Sequence, residues 1–113
     1  MSMIERRGAP RYPIVLVAEL TIQGTETTLT GRTSDISRTR CYVDSPRPFP
    51  AGHRIVIKLL RGKEIFEARA AVVYVSQDLG MGIAFEAPMP SGQVETLDRF
   101  ISKAARELEE LPK

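Results

Sequence analysis

Short apolar runs, in which hydrophobic and polar residues often alternate, follow one another as far as residue 86 and predict β-strands. The predicted strands span residues 12–22, 27–36, 41–43, 54–60, 65–75 and 82–86. Residues 61–63 indicate a hairpin connection, and the stretch 45–52 contains three prolines, so we expect a loop there. Six strands without intervening helices predict a mainly β fold, either an antiparallel barrel or a sandwich.

The last part of the chain changes to a helical period. Apolar residues recur there at alternating steps of three and four, the spacing of one helix face. These residues are Val94, Leu97, Ile101, Ala104, Leu108 and Leu111, with Phe100 and Ala105 beside them. Ser91 is the predicted N-cap. The apolar face covers an open end of the barrel or forms a seam with the helix of a second copy, because the same steps match a heptad pattern.

Length and composition indicate one small globular domain. The chain has 113 residues, of which 42% are hydrophobic and 27% charged. We expect an arginine-rich flexible arm over residues 1–11, a β-barrel over 12–88 and a helix over 89–113. No apolar run is long enough for membrane insertion, and no signal peptide is recognisable. The single cysteine, Cys41, cannot form an internal disulfide, so we expect a cytoplasmic protein.

Charge and residue content exclude several classes of function. The net charge is only +2, and the three Tyr and four Phe offer few stacking surfaces, so we expect no nucleic-acid binding, although a small basic barrel remains compatible with it. His53 and Cys41 are the only residues of their types, which disfavours a Cys/His metal cluster or nucleophile. The sequence contains no glycine-rich phosphate loop. We therefore expect neither an enzyme nor a bound cofactor.

Two polar clusters carry candidate chemistry. Arg6, Arg7 and Arg11 precede the first predicted strand, and guanidinium groups bind phosphate in a bidentate manner or stack on bases. The alternative is a solvated N-terminus. Asp35 and Ser37 alternate at the end of the second predicted strand, where the carboxylate suits a guanine N–H edge and the hydroxyl suits a phosphate or a base. The alternative is that both residues only cap a turn.

Together, these clusters resemble a known family signature. Arg7-x-x-x-Arg11 followed by Asp35-x-Ser37-x-x-Arg40 is similar to the PilZ domain pattern, RxxxR and then (D/N)xSxxG. The segment Gly80-Met81-Gly82 followed by an apolar run resembles the last strand of that family. The resemblance covers roughly residues 5 to 105.

The resemblance implies a six-stranded antiparallel PilZ-like β-barrel with a C-terminal α-helix, which binds the bacterial second messenger cyclic di-GMP on its outer surface. By position, Arg7 and Arg11 would hold phosphates and guanines, and Arg6 would assist. Asp35 and Ser37 would contact a guanine edge and the adjacent phosphate. Such a domain is a sensor without catalysis, and it would act on an unidentified protein partner or as a homodimer.

Arg40 departs from the family pattern, which has glycine at that position. Glycine there indicates a positive φ or a close approach of the ligand, so we expect backbone strain at Arg40. The long side chain either adds a phosphate contact or blocks the ligand. If it blocks the ligand, the protein is a degenerate PilZ-fold adaptor for protein interactions that does not bind the nucleotide.

Overall fold

The computed structural model describes residues 10–110, whose backbone forms seven strands and one helix. The elements are β1 Tyr12–Pro13, β2 Val17–Ile22, β3 Thr28–Ile36, β4 Arg40–Asp44, β5 Arg54–Arg61, β6 Glu64–Ser76, β7 Gly80–Phe85 and α1 Ser91–Glu109. The proline-containing stretch between β4 and β5 has no strand, as the sequence predicts. Gly62 adopts a φ of 59° in the tight turn between β5 and β6, where glycine has no steric cost.

The strands form one closed antiparallel barrel. Its order is β3-β2-β5-β6-β7-β4, and the pairing of β4 with β3 joins the two ends of the sheet. β1 is too short to count as a barrel strand, and it pairs with the part of β3 that extends beyond β2. The prediction of a six-stranded barrel followed by a helix is therefore confirmed. Closure leaves no free sheet edge along most of the barrel, which protects it from pairing with other chains.

The barrel interior is filled by the apolar member of each alternating pair. On β6, Phe66, Ala68, Ala70 and Val72 point inward, and polar residues lie between the first three of them. The largest fully buried side chains include Leu20, Ile36, Ile55, Ile57, Leu59, Met81 and Ile83. Burial of each large aliphatic or aromatic side chain contributes about 1.5–3 kcal/mol to folding. The period of two in the sequence thus directly determines which residues form the core.

The helix adds Leu97, Phe100 and Ala104 to the buried set, and the first two belong to the same cluster as the barrel core. It lies against β6 and β1. β7 pairs with β6 only from Ala70 onward, so the first half of β6 lacks a neighbour on that side. Gln93 Oε1 accepts a hydrogen bond of 2.7 Å from the backbone N–H of Glu67 there. The helix therefore occupies the place of a missing strand.

Two details of the predicted helix are wrong. Pro90, rather than Ser91, occupies the N-cap position, and no side chain caps the helix there, because Ser91 already belongs to the first turn. Val94 and Leu108 are exposed instead of buried, because the buried face is centred on Phe100 and lies to one side of the predicted stripe. Leu111 lies outside the described residues.

The first strand also differs from its prediction. The sequence predicts one strand over 12–22, whereas the ladder is interrupted between Pro13 and Val17. The side chain of Thr33 takes the place of the missing ladder bonds. Its hydroxyl accepts a 2.9 Å hydrogen bond from the N–H of Leu16 and donates a 2.7 Å bond to the carbonyl of Ile14, while its own N–H donates to the Leu16 carbonyl. This network holds the chain as it passes from β1 to β2.

We expect the substitution Thr33→Val to lower the free energy of unfolding by about 1–3 kcal/mol, because it leaves a buried N–H and a carbonyl without partners at nearly unchanged volume. Urea denaturation measures the effect. Thr28→Val is the matched control on the same strand, since Thr28 is exposed, and we expect a change within about 0.5 kcal/mol. Equal effects of the two substitutions would contradict the structural role of the Thr33 hydroxyl.

Candidate ligand-binding site

The pairing of β1 with β3 brings Arg11 next to Asp35. Pro13 lies opposite Asp35 in the ladder, and Arg11 Nη1 is 3.9 Å from Asp35 Oδ2. The Arg11 side chain is 47% exposed and the Asp35 side chain 30% exposed. This separation is long for a charge-assisted hydrogen bond, so the guanidinium group is close to the carboxylate and still open to another anion.

The second oxygen of Asp35, Oδ1, is buried and receives no hydrogen bond from the residues that the structure describes. The pairing register of β3 with β4 shifts between Thr33 and Asp35, and such bulges change the direction of side chains next to functional sites. A buried acceptor without a donor costs about 1–3 kcal/mol, and more when it is charged. The carboxylate is therefore a site at which an incoming N–H donor would be favourable.

Ser37 is buried and forms the turn between β3 and β4. Its hydroxyl accepts hydrogen bonds from the backbone N–H groups of Thr39, at 3.2 Å, and Arg40, at 3.0 Å. Its own N–H donates to the Arg40 carbonyl at 2.7 Å. This is the turn-capping role that the sequence left open for Ser37. A direct contact between Ser37 and a ligand stays a prediction.

Arg40 begins β4 opposite Ala84, and its side chain is exposed. Among residues 10–110 the only non-glycine residue with positive φ is Asp78, at 65°. The expectation of strain at Arg40 is therefore wrong. The backbone at position 40 already belongs to an ordinary strand and does not require glycine.

Arg6 and Arg7 lie outside the described residues, so the structure brings together only Arg11, Asp35, Ser37 and Arg40 of the predicted site. Arg38 lies in the same turn and was not among the predicted site residues. Its Nε is 3.1 Å from Asp98 Oδ1 on the helix. This ion pair connects the turn that carries the motif with α1. The only sequence signal for it is the high arginine content of the turn.

A row of outward-facing residues extends from Asp35 across three further strands. Asp35 lies opposite Tyr42, Tyr42 opposite Gly82, and Gly82 opposite Tyr74. The two tyrosine rings are 6.1 Å apart between centroids and tilted by 37°. The sequence shows these residues but not their alignment, because the alignment depends on the pairing of strands that are distant along the chain.

Cys41 lies under this surface, opposite Ile36 in the ladder, and is buried. Burial raises the pKa of its thiol far above the ordinary value, and the nearby Asp35 carboxylate raises it further, while Arg11 lowers it. The thiol is consequently protonated and unreactive in the folded protein.

A comparison with protein-family models matches residues 5–103 to the PilZ domain. The chain belongs to the PilZ domain family. The matched range includes Arg6, Arg7, Arg11, Asp35, Ser37 and Arg40. No curated protein sequence matches the chain significantly.

Solved PilZ structures share the fold. The PilZ domain of YcgR from Escherichia coli, solved with cyclic di-GMP, has a TM-score of 0.77 at 20% identity, and the match covers 94% of this chain and 96% of that one. The PilZ domain of CeSA from a cellulose-synthesizing bacterium has a TM-score of 0.66 at 18% identity, with coverages of 84% and 97%. The motility inhibitor MotI (DgrA) of Bacillus subtilis has a TM-score of 0.74 at 18% identity, with coverages of 99% and 56%. At these identities the comparisons support the fold alone.

Within residues 10–110 of this PilZ domain, no group of three or more His, Cys, Asp or Glu side chains is placed to hold a metal ion. In the same part of the chain, no helix has the length and apolar content required to cross a membrane.

We expect Cys41 in the folded protein at pH 8 to resist iodoacetamide under conditions that fully label the urea-unfolded chain. The unfolded thiol loses its proton near pH 8.5, whereas the folded thiol keeps it. The contribution of the buried thiol to the free energy of unfolding is thus fully present below that pH. As the pH rises further, this contribution falls by up to about 1.4 kcal/mol per pH unit. The stability difference between wild type and Cys41→Ala should shrink accordingly. Rapid labelling of the folded protein would contradict this prediction.

Proposed function

We propose that this PilZ domain binds cyclic di-GMP on the outer surface where Arg11 and Asp35 meet, and that it acts as a sensor without catalysis. The observation that carries the proposal is the buried Oδ1 of Asp35, which receives no hydrogen bond from any donor within residues 10–110. The N1–H and N2–H₂ groups of guanine supply donors of the kind that a carboxylate accepts. The presence of cyclic di-GMP in the similar YcgR domain supports the same ligand class.

The phosphates of the ligand are assigned to arginines. Arg11 is half exposed and only loosely paired with Asp35, so its fork of N–H groups can turn to a phosphate at little cost. Arg40 projects from the start of β4 on the other side of Asp35, two strands from β1. Arg6 and Arg7 precede Arg11 by five and four positions, and in this proposal they would also contact the ligand. The dianionic ligand would thus be held between cations from both directions.

Binding would be transmitted through contacts that the site already makes with the helix. β1 lies against α1, and the ion pair between Arg38 and Asp98 connects the β3–β4 turn to the same helix. Closure of the arm over the ligand would alter the surface formed by the arm, the turn and the helix. A protein partner or a second copy of this chain would bind to the altered surface.

Isothermal titration with cyclic di-GMP tests the proposal. We expect micromolar or tighter binding by the wild type, and a loss of about 10- to 100-fold in Arg7→Ala, Arg11→Ala and Asp35→Ala, because each removes a hydrogen bond to a charged group. Arg106→Ala is the matched control, since Arg106 is an exposed arginine in the last turn of the helix. Absence of heat and of a thermal shift at about 1 mM ligand would refute the proposal.

The second candidate is a PilZ-fold adaptor that does not bind the nucleotide, and the exposed Arg40 in place of glycine is the observation that favours it. Arg40→Gly separates the two functions. If Arg40 contacts a phosphate, we expect roughly tenfold weaker binding of cyclic di-GMP. Binding that appears only in Arg40→Gly would show that the arginine blocks the site. Thermal melts of the variant control for the cost of glycine in a strand, about 0.5–1 kcal/mol.

A further inference from the structure

The two tyrosine rings on the outer face pack over glycines. A Cβ atom on Gly82 would overlap the ring of Tyr74, and one on Gly80 would overlap the ring of Tyr42. Each ring therefore covers the bare backbone of β7. Tyr74 remains 40% exposed in this position.

The surface next to the rings is made of small side chains. One step along the strands, Arg40 lies opposite Ala84, and Ala84 opposite Ala71. We call Tyr42, Tyr74, Gly82 and Ala84 the tyrosine platform. It has an arginine at one end and is continuous with Asp35 across β3 and β4. Neighbouring strands are about 4.8 Å apart, so the platform begins within one nucleotide length of the carboxylate.

Shielding of the glycine backbone explains why the rings lie where they do, since aromatic side chains often cover glycines in sheets. It does not explain why the rings lie in one row with a carboxylate oxygen that receives no hydrogen bond within residues 10–110. Planar aromatic faces beside a cation are the arrangement by which proteins hold single-stranded bases, because every base has a π-face.

We infer that the tyrosine platform binds a purine base of the ligand by stacking on Tyr74, with Arg40 lying beside that base. The inference rests on the proposed function and extends it. Asp35 accepts hydrogen bonds from the edge of one guanine, and the platform stacks against the face of a base. Tyr74 is thereby a residue that selects for aromatic bases rather than for phosphates.

Substitutions at Tyr74 test the inference by titration with cyclic di-GMP. We expect roughly tenfold weaker binding in Tyr74→Leu, which keeps an apolar cover over Gly82, and binding within about threefold of wild type in Tyr74→Phe, which keeps the ring. Gly82→Ala displaces the ring without removing it and should weaken binding as well. Leu79→Ala is the control. Leu79 is apolar and 68% exposed, and it lies in the turn between β6 and β7, outside the platform.

A direct readout of stacking comes from fluorescence. The chain contains no tryptophan, so the Tyr74→Trp variant carries a single indole on the platform. We expect its emission to be quenched at the ligand concentrations that saturate the calorimetric signal. In the double variant Tyr74→Trp, Asp35→Ala we expect no quenching at those concentrations. GMP at matched absorbance corrects for the inner-filter effect.

The outcomes separate the two proposals. If the wild type binds while Tyr74→Leu binds equally well and the indole is not quenched, the platform inference is overturned and the proposed function stands. If the wild type does not bind, the proposed function is overturned, and the platform inference that rests on it is overturned as well. Weaker binding in Tyr74→Leu with normal melting, together with quenching, supports the platform.

Discussion

The pairing of β3 with β4 is the constraint on which the rest of this structure depends. It closes the barrel, and it also fixes the two features that make the outer surface unusual. The shift of register next to Ser34 directs the Asp35 carboxylate, and the turn built by Ser37 places Arg40 in an ordinary strand. Because β3 pairs with β1 on its other side, the same strand brings Arg11 to the carboxylate. The pairing that closes the barrel therefore also brings the site residues together.

Much of the fold could be predicted because the alternation of apolar and polar residues along a strand indicates which side chains are buried. The inward-facing residues of β5 and β6 follow a strict period of two, and the pattern locates both strands to within a residue or two. The interruption after Pro13 could not be predicted, since the run 12–22 looks continuous. The reason for it is Thr33, which is distant along the chain and supplies hydrogen bonds that no local pattern reveals. The helix was recognisable by period, but its buried face depends on where β6 lacks a partner.

The candidate site, like the fold, could be predicted only in part. Arg11, Asp35 and Ser37 were identified because their spacing resembles a family motif, and the structure places them around one turn. The missing donor at Asp35 Oδ1 could not be foreseen, since it is a property of packing. The same holds for Tyr42 and Tyr74, which become neighbours only through the register of β4, β7 and β6. The expected glycine requirement at position 40 was wrong because the backbone there has the ordinary conformation of a strand, which the motif comparison alone does not reveal.

The hydrogen bond from the Glu67 N–H to Gln93 has a consequence for the helix as a whole. β7 does not reach the first half of β6, and there this side chain accepts a hydrogen bond that a strand would otherwise accept. If the helix left its place, it would uncover both an apolar surface around Phe100 and an unpaired strand edge. Such an edge can pair with an extended segment of another chain. The helix therefore protects an edge of the sheet as well as completing the core.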